Sequence, residues 1–255
     1  MDLVINLLTA DGAISLSTAL MLITTAAITS LITATLGIGG GILLIAVMAG
    51  CLPISVLIPV HGLVQLGSNS NRALMTFRYI DWSMVKFFSI GALLGAGLAS
   101  FIVVQLPLVV IQVAVAGFIL FMVWGSKPKA KEMRPLGCSL AGFSTTLISM
   151  FVGATGPLVA AFVHRNNYNK MQIVATMASC LTFQHGLKAF VFTFVGFSFF
   201  QWLGLIGAMV ISGACGTYIG LRVLKKIPAD KFRLLFKITV TVLALRLLWQ
   251  AIMGE

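Results

Sequence analysis

The chain has 255 residues, 59% of them hydrophobic and only 9% charged, whereas a soluble globular domain carries about a quarter charged residues. Its formal net charge is +11, but no Lys/Arg-rich run with interleaved aromatics occurs. Nucleic-acid binding is therefore excluded, and the basic excess is expected in the cytoplasmic loops of a membrane protein. Several apolar runs reach the roughly 20 residues that span a bilayer, and they are continuous, which points to helices and excludes the alternating strands of a barrel.

Taken in order, the chain begins Met1, Asp2, Leu3, without the basic start of a cleavable signal peptide. The first apolar run, 14–50, contains a cluster of glycines: Gly37, Gly39, Gly40 and Gly41. Glycine is a poor helix former, so the cluster predicts a break. Backbone groups freed inside a bilayer must be buried in protein or line a cavity. A second run, 54–75, carries His61, Gln65, Asn69 and Arg72, and a polar turn with Arg78, Asp81 and Trp82 follows. Runs 85–104 and 108–124 are joined by the short neutral connection Gln105, Leu106, Pro107. The longest polar stretch, 125–135, is the natural midpoint linker.

The second half repeats the plan. Run 136–163 is interrupted by Gly153, Ala154, Thr155, Gly156 and Pro157. Run 171–195 carries Gln184, His185 and Lys188, and runs 203–221 and 234–253 follow, separated by a basic segment. Trp82 matches Trp202, Leu106 and Pro107 match Ile227 and Pro228, Gly37 matches Gly153, and Gly95 and Ala99 match Gly216 and Gly220. Small residues at a spacing of four suit close helix contact in lipid. The loop after the second run of the first half is basic and the next is neutral, whereas the second half reverses this order. By the positive-inside rule, corresponding loops then lie on opposite sides.

The fold class expected is an all-α polytopic membrane protein. It has two inverted-topology repeats, 1–125 and 136–255, joined by a basic cytoplasmic linker at 126–135. Each repeat holds a glycine-broken re-entrant or paired segment plus three transmembrane helices. Both termini are expected outside.

The polar residues inside these runs are the candidate site. His61, Gln65, Asn69 and Arg72 stand at i, i+4, i+8 and i+11 and share one helix face. Gln184, His185 and Lys188 form a second patch, and the repeat directs both toward one central axis. Ionisable residues within a membrane mark function by default. Structural alternatives remain open at this level: interhelical hydrogen bonding for the histidines, and snorkelling to the interface for Arg72. All six acidic residues lie in loops or at the termini, so an intramembrane site is rich in cations and donors and suits an anion. Helix N-termini after the breaks add aligned N–H groups. The expected substrate-binding set is Gly39, Gly40, Gly41, His61, Gln65, Asn69, Arg72, Thr155, Gly156, Gln184, His185 and Lys188. A leucine at Gly40 is expected to block anion approach while sparing the fold. Lys188, lacking an acid partner, is expected to have its charge compensated by the bound anion.

The glycine cluster 37–41, Leu52 and Pro53, the segment from Asn69 to Arg72, and Ile80, Asp81 and Trp82 resemble the first module of the sulfite exporter TauE/SafE family. The module returns between Leu140 and Trp202, with Ile227 and Pro228 beyond. The second break departs from the pattern, because Gly-Ala-Thr-Gly-Pro stands where a richer glycine run is usual. The resemblance implies two duplicated membrane modules and transport of small sulfur-containing anions such as sulfite or organosulfonates.

A secondary transporter in the cell membrane (the inner membrane in a bacterium), working by alternating access, is thus the leading reading. A small anionic substrate and the lipid bilayer are its partners, and two histidines allow a coupling proton or ion. A membrane enzyme acting on a lipid phosphate is the alternative, weakened because neither His61 nor His185 has an acidic partner. A transition-metal permease fits poorly, since the methionines are scattered and no His-rich tract exists. The four cysteines form no CxxC, so no metal framework or disulfide is expected, and neither catalytic residues nor a cofactor.

Overall fold

The computed structural model describes residues 2–37, 39–102, 108–124, 133–163 and 166–223, with scattered positions between 238 and 253. The connection 105–107, most of the linker, the Ile227 and Pro228 pair and most of the last run lie outside the described residues. The described chain is all-α: α1 (Asp2–Leu8), α2 (Leu16–Leu36), α3 (Gly40–Ala49), α4 (Ile54–Met75), α5 (Trp82–Ile102), α6 (Leu108–Trp124), α7 (Pro135–Val152), α8 (Gly156–Val163), α9 (Lys170–Phe194) and α10 (Leu203–Val223).

Among the described residues, four segments are long and apolar enough to cross a membrane: α2, α5, α7 and the segment Phe200–Val223 that contains α10. Their outward faces carry Leu20, Ile28, Leu94, Phe101, Leu140 and Ile211, all exposed. A water-soluble monomer rarely leaves so much large apolar surface uncovered. The protein is a multi-pass membrane protein. The helices α4 and α9 are also long, at 22 and 25 residues, but carry the polar side chains. They pack against each other at the centre.

Around that centre, α2 lies along α10 and α5 along α7. Glycine makes both contacts possible. A Cβ on Gly91 would overlap the Ser139 carbonyl of α7, and one on Gly216 would overlap the Ala27 carbonyl of α2. Gly95 faces Phe143, and Gly220 faces Leu31 and Ala34. The small residues at matched positions therefore serve close helix approach, as their spacing implied. Each interface also has one serine bond to the partner backbone: Ser139 Oγ donates to Phe87 O at 2.9 Å, and Ser212 Oγ to Ile23 O at 2.8 Å.

The two ends are tied by loop contacts. Gln201, just before α10, donates to Ala10 O at 2.8 Å, near the start of α2. Asp81 caps α5 by accepting from the Ser83 and Met84 amides at 2.9 and 3.1 Å, and accepts a bond from the Tyr168 hydroxyl just before α9. Burial, and then the Asp81 carboxylate, push the Tyr168 phenol above its usual range, so it stays a donor at physiological pH.

Candidate functional site

Both glycine breaks are realised. The helix α2 ends in a left-handed residue, Gly37 (φ 79°), whose N–H bonds Thr33 O at 2.9 Å. Gly39 (φ 106°) then starts α3. The helix α7 ends at Gly153 (φ 80°), whose N–H bonds Ser149 O at 3.0 Å, and α8 starts at Gly156. Positive φ is what an L side chain resists, so glycine is required at these stops. At ten residues, α3 is about 15 Å long, half a bilayer core and too short to cross a membrane by itself. No side chain caps its N-terminus, which leaves first-turn N–H groups free to point at a ligand.

The breaks meet at one cavity, about 350 Å³ of atom-free space when its opening to solvent is included. Its walls include Thr33, Gly39, Gly41, His61, Gln65 and Asn69 from the first half, and Ala154, Gly156, Pro157, Met177, Leu181 and His185 from the second. It is narrow, and as it stands takes little more than a water-sized guest.

The two polar patches face each other across α4 and α9. The His61 and His185 rings stand edge to face, 6.3 Å between centroids at 82°. His61 Nε2 lies 3.1 Å from Gly41 O; a carbonyl only accepts, so Nε2 donates. Asn69 donates to Gln65 O and Oε1 at 2.8 and 3.2 Å. Gln184 donates to the Thr155 hydroxyl, and its own oxygen accepts from Thr145 at 3.3 Å.

Seven of the residues expected in the site line the cavity: Gly39, Gly41, His61, Gln65, Asn69, Gly156 and His185. Thr155 and Gln184 are buried beside it as a bonded pair. Lys188 stands behind the wall. Its ammonium donates to Gly153 O at 2.7 Å and its stem fills the space over Gly62, where a Cβ would come within 2.7 Å of Cδ. Its charge is thus met by the carbonyl end of α7, the negative pole of that helix, rather than left for an anion alone.

Two expectations are corrected. Arg72 does not snorkel: it is 1% exposed. Its Nη1 donates to Asn69 Oδ1 at 3.0 Å and its Nη2 to Ser68 Oγ at 3.4 Å. Ser68 is braced in turn by Ser30 at 3.0 Å. These helix neighbours capture the guanidinium before it reaches the interface, and it buttresses Asn69 from outside the cavity walls. Gly40 faces away from the cavity, since a Cβ there would overlap the Thr29 carbonyl and the Thr33 hydroxyl. Its smallness lets α3 fold back on α2, so a leucine would attack the fold first.

Sequence reasoning missed Gly62 and the second role of Gly153. A lone glycine inside a helix carries no signal until the neighbouring helix is known. The walls Ala154, Met177 and Leu181 are apolar and equally silent.

A family model, sulfite exporter TauE/SafE, matches residues 22–247. The chain belongs to the sulfite exporter TauE/SafE family. No match to a curated protein or to a solved structure was found. The matched stretch takes in both glycine breaks and both polar patches, so the cavity lies wholly within the TauE/SafE region.

Proposed function

We propose that this TauE/SafE protein is a secondary transporter of small sulfur-containing anions, sulfite or an organosulfonate, and not an enzyme. One observation carries the reading. Two broken helices converge on a buried cavity lined by donors and imidazoles, while the described helices that line it contain no carboxylate. Such a site lacks the carboxylate oxygens that hold a hard metal cation, and its N–H donors, with the Lys188 ammonium behind them, favour an anion. The same lack weighs against lipid-phosphate hydrolysis, because neither histidine has an acid to orient it.

In this reading 1–125 and 136–255 are inverted repeats joined at 126–135, and access alternates as they rock about α4 and α9. The exchange of partners supports it: α5 of the first half lies on α7 of the second, and α10 of the second on α2 of the first. The narrowness of the cavity also fits an occluded state, which must open to admit an oxyanion. The basic excess supports a cytoplasmic position for the linker side.

Uptake of radiolabelled sulfite, sulfate, taurine and sulfoacetate into proteoliposomes tests the function. Saturable uptake of a sulfur anion is expected; lipid-phosphate hydrolysis without any uptake would replace this reading with the enzymatic one. Topology has its own test. In a cysteine-free background, Ser83→Cys is expected to label only from the cytoplasmic face and Gln201→Cys only from the opposite one. Labelling of both from one face would rule out the inverted repeat.

A further inference from the structure

We propose that the transported anion travels with a proton taken up by the His61–His185 pair; the inference rests on the transport reading above. With Nε2–H donating to Gly41 O, a neutral His61 has its lone pair at Nδ1. That atom is buried and has no hydrogen-bond partner. It points at the second break, 3.5 Å from where a Cβ of Gly153 would stand. His185 Nδ1 is likewise buried without a partner. Both rings line the cavity. Two basic nitrogens are therefore held ready, one from each half, in the place where an anion would sit.

The charged surroundings decide what a proton there would need. From α9, Lys188 lies three residues past His185 with its stem over Gly62, the neighbour of His61 in the chain, so it stands beside both rings, and the rings are 6.3 Å apart. On α4, Arg72 is bonded through its Nη atoms to Asn69 and Ser68, while its Nε is buried without a partner among the described residues. The helices α2, α3, α6 and α8 contain no titratable side chain, α5 and α7 contribute only Lys86 and Cys138, and α10 only Cys215, Tyr218 and Arg222. Among the described acids, Asp81 is engaged at the end of α5, by Tyr168 and the helix amides. Among the described residues, no acid faces the pair.

A neutral imidazole presents a lone pair to an incoming anion and repels it. A proton placed on Nδ1 turns that lone pair into a donor, but in the empty cavity the new N–H finds no acceptor and adds a cation beside Lys188. Each ion thus removes the penalty on the other. The coupling is reciprocal: the anion tightens proton binding as much as the proton tightens anion binding. The step is a simple protonation. One N–H bond forms from a solvent proton, and it breaks when the anion leaves. With the rings so close and Lys188 beside them, the pair takes one proton per anion, because a second imidazolium would face both cations.

Methanesulfonate tests this, because it stays a monoanion across the physiological pH range and cannot carry the proton itself. Calorimetric titration of the purified protein in two buffers of different ionisation enthalpy measures protons taken up on binding. About one proton per anion is expected for the native protein and close to none for the doubly substituted His61→Gln, His185→Gln variant. In proteoliposomes, an inwardly directed proton gradient should accelerate methanesulfonate uptake several-fold. Binding heat with no proton uptake, and transport indifferent to the gradient, would overturn the coupling and leave the transporter reading standing. If neither methanesulfonate nor sulfite binds or moves, the transporter reading falls and the coupling with it. The native-protein measurements decide the matter even if the variant fails to fold.

Discussion

Lys188→Met is expected to weaken sulfite binding roughly 10-fold, about 1.4 kcal/mol, through loss of a positive charge set behind the cavity wall rather than of a direct bond to the anion. The ammonium is fully buried and sits on the Gly153 carbonyl, next in the chain to Ala154 of the cavity wall. Methionine retains the stem that fills the space over Gly62 and removes the charge. In the empty protein two effects oppose. The Gly153 carbonyl loses its donor, which costs about 1–3 kcal/mol, while the cost of burying an ammonium disappears. The melting temperature of the empty protein therefore moves by only a few degrees. The ligand response is the decisive readout, because only a ligand that binds the folded form raises the melting temperature. Added sulfite should stabilise the native protein and leave Lys188→Met nearly unmoved. Gly62→Ala, whose Cβ would press on the Lys188 stem, should shift the response in the same direction by less. Equal stabilisation of native protein and Lys188→Met would remove Lys188 from the site.

Gly40→Ala and Gly41→Ala are expected to fail in different ways. At Gly40 the new methyl meets the backbone of α2, which cannot step aside as a side chain can, so α3 must move off α2. Overpacking of this kind costs about 1–3 kcal/mol or more, and folded, monodisperse protein should be largely lost. At Gly41 the methyl first meets the Gln65 side chain, at an ordinary 3.5 Å, and narrows a cavity that is already tight. Gly41→Ala should fold with near-native stability and transport severalfold more slowly. Size-exclusion profiles and melting curves, read beside uptake rates, separate the two. If Gly40→Ala folds normally and only transport suffers, the packing role assigned to Gly40 is wrong.

The two breaks were legible in the chain because glycine clusters inside apolar runs have few other uses, and both became helix stops at Gly37 and Gly153. The polar face of α4 was legible because its spacing matches the helical repeat. For Arg72 the sequence left two readings, a place in the site or an exit to the interface, and the second fails for a local reason. Its position near a helix end suggests an exit to the interface, but Asn69 and Ser68 lie one turn back on the same face and hold it inside. Gly40 and Gly41 are indistinguishable in the sequence, and one rotation step along α3 sends the first toward α2 and the second toward the cavity.

The sequence by itself determined the all-α membrane class, the places where helices break, and the cationic character of the interior, because these follow from hydropathy, backbone freedom and the positions of acids. Only the tertiary structure decided which polar groups meet. The pairing of His61 with His185, the seat of Lys188 on Gly153, and the cavity between the two breaks join residues far apart in the chain. Such contacts are set by how α4 packs on α9, which depends on small-residue surfaces and local fit that no pattern along one helix encodes.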